Sequence, residues 1–138
     1  MDVSKGIHQV LDDEPKVWFA FLFGSRGRGS ARQGSDWDVA VYLDDSLDDR
    51  QRLDIQRGLS AQLTGPDGPR VDLIVLNDAA PLLAHRALKG RELVNRNRAV
   101  YVRFFTRVMG EVEDERHFYG VHERARRDRL AEGRFGRP

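Results

Sequence analysis

The sequence predicts a mixed α/β domain, and three observations carry that prediction. Segments of strand character at 16–23, 36–43 and 70–76 alternate with segments of helical periodicity at 4–14, 47–63 and 79–89. The breaks between them hold strong punctuation, a Gly/Ser/Arg-rich stretch from Gly24 to Ser35 and a Thr64-Gly-Pro-Asp-Gly-Pro69 cluster. The length, 138 residues with 40% hydrophobic side chains, suits one core of ordinary size.

Each element has its own reason. Residues 4–14 place Ile7, Val10 and Leu11 on one helical face, with Pro15 just past the end. Residues 16–23 are apolar on both alternating faces, the pattern of a central strand covered on two sides. In 36–43 the alternation puts Trp37, Val39, Val41 and Leu43 on one face and Asp36 and Asp38 together on the other. Ser46 with Asp49 three residues on reads as a capping-box-like start, and Ile55, Leu59 and Leu63 recur at i, i+4, i+8 through 47–63. Residues 70–76 form a third strand, 79–89 a helix stopped by Gly90, and 91–94 a short edge strand. From about residue 98, Tyr101, Phe105, Val108 and Val112 recur at a-and-d-like spacing, which predicts a long amphipathic helix with Gly110 as its weak point, packed on the core domain or on a partner through these residues and Phe104. Beyond Tyr119 apolar residues thin out, and the final Gly-Arg-Phe-Gly-Arg-Pro is expected to fray. The chain thus divides into a core domain, residues 1–98, and a helical, Arg-rich C-terminal extension, residues 99–138.

Composition excludes several classes of function. Cysteine is absent, which removes disulfides, thiolate metal sites and Cys nucleophiles. No apolar run approaches the ~18–20 residues of a membrane span, and the first residues lack the layout of a signal peptide. A cytoplasmic protein without a membrane partner is therefore expected. Of the 23 basic residues 20 are Arg, and the net charge of +1 divides into −3 over residues 1–95 and +4 over 96–138. A basic extension can bind nucleic acid through phosphate neutralisation, but the interleaved Glu111, Glu113, Asp114, Glu115, Glu123 and Asp128 argue against it here. The four histidines, His8, His85, His117 and His122, fall at no metal-ligand spacing on one helix face and are assigned no chemistry.

The residues that carry chemistry are Gly24-Ser25, Asp36-Trp37-Asp38 and Asp72. A glycine-rich turn leading from a strand into a short helix exposes backbone N–H groups and can cradle phosphate, with Arg26 and Arg28 among its glycines. Two carboxylates on one face of a strand repel unless a cation lies between them, and such oxygen donors suit Mg²⁺. The bland alternative is a pair of solvated acids near a turn. Asp72 interrupts an apolar strand, so it must be paired, for instance with Arg70, metal-bound, or at the strand's open end. If its strand neighbours the second one, three carboxylates can hold two metals, the arrangement for phosphoryl or nucleotidyl transfer.

Gly24-Ser25, ten residues, Asp36-x-Asp38, and then an Asp on a later apolar strand resembles the pattern of the DNA polymerase β-type nucleotidyltransferase superfamily. Phe-Leu-Phe-Gly-Ser-Arg-Gly-Arg-Gly, Gly-Ser-Asp-Trp-Asp-Val-Ala-Val and Val-Asp-Leu-Ile-Val-Leu-Asn look like its minimal nucleotidyltransferase (MNT) family, over about residues 5–98. The resemblance implies that Gly24 and Ser25 hold the β- and γ-phosphates of ATP, with Arg26 and Arg28 near the triphosphate. It implies that Asp36 and Asp38 ligate Mg²⁺, and that Asp72 completes a two-ion site and helps activate the attacking hydroxyl. Many members of the family are antitoxins of type VII toxin–antitoxin pairs. The expectation from that resemblance is a protein adenylyltransferase that places AMP on a tyrosine of a HEPN-domain ribonuclease toxin, with which it can form a hetero-oligomer. Two alternatives stand beside it: an antitoxin that neutralises its toxin by binding alone, and a nucleotidyltransferase acting on a small molecule or RNA.

Overall fold

The computed structural model describes residues 3–27, 36–66 and 68–131. The order is α1 (Val3–Asp12), β1 (Val17–Phe23), α2 (Gly24–Gly27), β2 (Trp37–Leu43), α3 (Asp49–Thr64), β3 (Val71–Val75), α4 (Pro81–Leu88), β4 (Arg91–Asn95) and α5 (Arg98–Ala131). The strands form one mixed sheet in the order β3-β2-β1-β4. β1 is antiparallel to both β2 and β4, while β2 and β3 are parallel.

A parallel pair needs a crossover, and α3 supplies it between β2 and β3. The sheet buries side chains on both faces. On one face Val17, Ala20, Leu22, Val39, Val41, Leu43 and Leu73 pack with Ile7 and Leu11 of α1 and Leu59 and Leu63 of α3. On the other, Phe19, Phe21, Phe23, Ala40 and Tyr42 pack with Ala84, Ala87 and Leu88 of α4 and Val100, Phe104, Val108 and Val112 of α5. β1 is therefore apolar throughout because both its faces are covered, as its sequence predicts. Phe19 anchors the second layer: its ring stacks on Tyr42 at 4.6 Å and lies 5.8 Å from Phe104.

Two sequence expectations shift by a few residues. The α3 cap is Asp48 rather than Ser46: Asp48 accepts from the Gln51 N–H at 2.8 Å, and Gln51 Oε1 accepts from the Asp48 N–H at 2.9 Å. Ser46 is engaged one step earlier, donating its N–H and hydroxyl to Asp44 Oδ1, both at 2.8 Å, in the turn that leaves β2. The inward stripe of α5 includes the expected Phe104, Val108 and Val112 but departs at Phe105 and Tyr101. Val100 and Phe104, with Val108 and Val112, face the sheet, whereas Phe105 is 38% exposed and Tyr101 lies at the margin against Phe19 and Phe21. Gly110 does not interrupt the helix. The final residues 133–138, expected to fray, lie outside the described ones. No described helix is long and apolar enough to cross a membrane.

Candidate active site

β1 ends at Phe23, and Gly24 turns the chain with φ 68°, a left-handed conformation that favours glycine. A second constraint acts at the same residue. A Cβ on Gly24 would overlap Asp38 Oδ2, so the turn and the carboxylate share a space that only a hydrogen leaves open. α2 starts here, with Ser25 in its first turn.

Asp38 lies next to the start of β2. It is the register partner of Phe23 on β1 and of Asp72 on β3. Val39, Val41, Leu43 and Leu73 point to the α1–α3 face, so by alternation Asp38 and Asp72 emerge on the face covered by α4 and α5. Asp36 precedes Asp38 by two residues, and the Trp37 N–H donates to the Arg70 carbonyl at 2.8 Å, which ties the starts of β2 and β3 together. The expected neighbouring of the second and third strands is thus met.

Asp38 is half-buried, whereas Asp36 and Asp72 are exposed. Burial pushes the Asp38 carboxyl above the ordinary carboxylate range. The charges of Asp72 and Asp36 push it further, and Arg86 pulls against them. Asp72 and Asp36 thus both act electrostatically on Asp38. The three acids are not drawn into a closed cage: among the described residues no three carboxylate or imidazole groups stand together as a finished metal site. The donor set itself, hard carboxylate oxygens on adjacent strands beside a glycine-lined space, fits a cation such as Mg²⁺. Arg70 forms no close ion pair with Asp72 among the described residues.

Arg26 is half-buried, with its guanidinium 4.4 Å from the centre of the Trp37 ring, a cation–π contact that holds it beside the β2 start. Arg28 lies outside the described residues. Sequence reasoning missed two features of the site. One is Arg86, whose charge reaches Asp38. The other is the function of Gly90, expected only as a helix stop: a Cβ there would overlap the Leu22 carbonyl, so the end of α4 rests directly on the end of β1. Gly90 was visible in sequence as a break. Arg86 gave no signal, because the rotation of α4 about its axis is set by packing.

Residues 5–99 match the polymerase β nucleotidyltransferase family. The protein adenylyltransferase MntA of Shewanella oneidensis is 31% identical over 94 residues, which is 67% of this chain and 65% of that protein. Its namesake in Aphanizomenon flos-aquae is 29% identical over 86 residues, 56% of this chain and 55% of that protein. The match therefore spans less than two thirds of either relative. Among solved structures, a toxin–antitoxin with AMP-PNP superposes with a TM-score of 0.57 and 25% identity, covering 93% of each chain.

Proposed function

Because the chain belongs to the polymerase β nucleotidyltransferase family, we propose that it is an antitoxin that transfers AMP from ATP to a tyrosine of a cognate HEPN-domain toxin and so neutralises it. The observation that carries the reading is the placement of Asp38 opposite Asp72 and against Gly24. Two acids and a phosphate-type turn then converge at one end of the strands. The relatives carry the choice of substrate: those matched over the core are protein adenylyltransferases, and a neighbour in fold is a toxin–antitoxin with AMP-PNP.

In this mechanism the tyrosine oxygen attacks the α-phosphorus of ATP, the α–β phosphoanhydride bond breaks, and pyrophosphate leaves. Gly24 and Ser25 hold the β- and γ-phosphates, with Arg26 and Arg28 as further triphosphate contacts. Asp36, Asp38 and Asp72 would hold Mg²⁺, which when bound neutralises charge on the phosphates. Asp72, the most solvated of the strand acids, takes the phenolic proton as the oxygen attacks. Residues 1–98 supply all of these groups, and the extension 99–138 helps to seat the protein substrate. A cytoplasmic location fits a reaction that consumes ATP.

The test is mass spectrometry of the HEPN protein encoded beside this chain after incubation with ATP and Mg²⁺. Addition of AMP to tyrosine, with loss of ribonuclease activity, is the expected result. Neutralisation with no mass change would overturn the reading in favour of inhibition by contact.

A further inference from the structure

β4 is an outer strand of the sheet, and among the described residues no strand pairs with its outer row of N–H and C=O groups. Beside it lies a cavity of about 590 Å³, lined by Ser4, Lys5 and His8 of α1 and by Arg91, Glu92 and Leu93 of β4. Lys5, His8 and Arg91 are exposed to solvent. The charges along the cavity do not cancel. Glu92 is already engaged, accepting from Asn95 Nδ2 at 2.8 Å and facing the Arg98 guanidinium at 3.4 Å. Arg91 donates to the Ser4 hydroxyl, which holds its guanidinium against α1. Neither Arg91 nor Lys5 makes a close ion pair among the described residues. The first turn of α1, the positive end of its dipole, contributes to the same lining. An electropositive groove therefore runs beside an open strand edge.

These charges have two physical uses. Charged side chains on an outer strand keep it from pairing with stray chains, and either sign serves that purpose. A docking groove needs one sign. Here the acid is neutralised and the bases are not, and the bases converge on one cavity from two separate elements. A small anion would use the cations and leave the strand edge idle. An extended acidic segment uses both: its main chain pairs with β4 and its carboxylates meet Lys5 and Arg91. We infer that the groove between α1 and β4 docks an extended acidic segment of the protein substrate. This rests on the reading that the substrate is a protein, and it adds a contact outside the nucleotide site. The Glu92–Arg98 pair joins the groove to the start of α5, so the groove adjoins the extension proposed to seat that substrate.

The experiment is calorimetric titration of the intact chain with the HEPN protein encoded beside it, without ATP, at low and high salt. The unmodified chain is compared with Lys5→Glu, Arg91→Glu, the double variant and Lys5→Arg, and AMP transfer is measured separately on each. The double variant is expected to lose about tenfold or more in affinity and to lose the salt dependence of the unmodified chain, with thermal unfolding midpoints unchanged. Lys5→Arg keeps the charge and should bind as the unmodified chain does. Arg91→Glu also removes the Ser4 bond, so Lys5→Glu, which breaks no described ion pair, must show part of the loss alone. If the charges only guard the strand edge, reversal leaves it guarded and affinity unchanged, and that result overturns the inference. Binding of a short oligouridylate that the double variant loses would assign the groove to nucleic acid and overturn it too. Absence of AMP transfer by the unmodified chain, with capture still weakened by charge reversal, leaves the groove standing while the adenylyltransferase reading falls. Absence of capture by the unmodified chain overturns the docking inference.

Discussion

Gly24 and Asp38 occupy one space: the glycine has no side chain where Asp38 Oδ2 lies, and its φ of 68° excludes most other residues independently. Gly24→Ala must displace the carboxylate, strain the turn, or both. The expected outcome is a loss of AMP transfer of a hundredfold or more, with a stability cost of about 1–3 kcal/mol. Single-turnover transfer and denaturant titration measure the two effects separately.

Asp36→Asn together with Asp38→Asn removes two anionic donors and leaves the volume of the site intact. Transfer should fall to background while the circular dichroism spectrum is retained. Because Asp38 is partly buried among like charges, Asp38→Asn alone should raise the melting temperature in metal-free buffer. Undiminished transfer by the double variant would refute the assignment of these acids.

Arg96 holds the end of α1. Its Nε donates to the Val17 carbonyl at 2.7 Å, and one terminal nitrogen faces the carbonyls of Leu11, Asp12 and Glu14 at 2.9, 2.9 and 3.0 Å. Those of Leu11 and Asp12 are carbonyls that the end of α1 leaves without intrahelical donors, at the negative pole of its dipole. Arg96→Ala should cost about 2–4 kcal/mol, with little recovery in Arg96→Lys, which cannot span the same four acceptors. Urea unfolding of the three proteins checks this.

Tyr42 donates its hydroxyl to Asp45 at 2.5 Å, and burial, then this bond and the Asp45 charge, push the phenol up to about 12. A group whose folded-state pKa lies above its unfolded value of 10.0 stabilises the fold fully below pH 10 and loses that contribution as pH rises through 12. Alkaline unfolding between these limits should shift upward in Tyr42→Phe, although that variant loses about 1 kcal/mol at neutral pH. Phenolate absorbance against pH, read with fluorescence, gives both.

Truncation after about residue 115 removes the outer part of α5 and keeps Val100, Phe104, Val108 and Val112, which complete the second core. ATP and Mg²⁺ binding should persist, because every site residue proposed from the sequence motif lies before residue 73. Capture of the protein substrate should weaken, more so at high salt if the Arg124–Arg129 segment contributes. Full activity of the truncated chain toward its partner removes the docking assignment.

The residues most legible in sequence were those whose environment follows from strand alternation. Asp36, Asp38 and Asp72 stood out because each interrupts or flanks an apolar strand, and β1 read as central because no polar residue breaks it after Lys16. Less legible was anything set by how a helix rolls on the sheet. Tyr101 and Phe105 satisfy a helical stripe as well as Val100 and Phe104 do; the choice between them is made by Phe19 and Tyr42, more than fifty residues away. Arg86 and Arg96 are two among twenty arginines, and only tertiary placement distinguishes them. Among the described residues no three carboxylate or imidazole groups stand together as a metal site, and strand alternation does not encode the side-chain torsions that decide such a grouping.

β3 is an outer strand, and an outer strand with Val71, Leu73, Ile74 and Val75 invites another chain to pair with it. Two residues discourage that. Gln56 of α3 covers part of the margin by donating to the Leu73 carbonyl at 3.1 Å, and Asp72 places an exposed charge within the strand. The acid proposed for proton transfer is thus also a gatekeeper against aggregation. An apolar replacement at 72 would confound lost chemistry with lost solubility, whereas Asp72→Asn keeps a polar group on the edge and separates them. Selection on this residue for colloidal behaviour would preserve it even in a descendant that had abandoned catalysis.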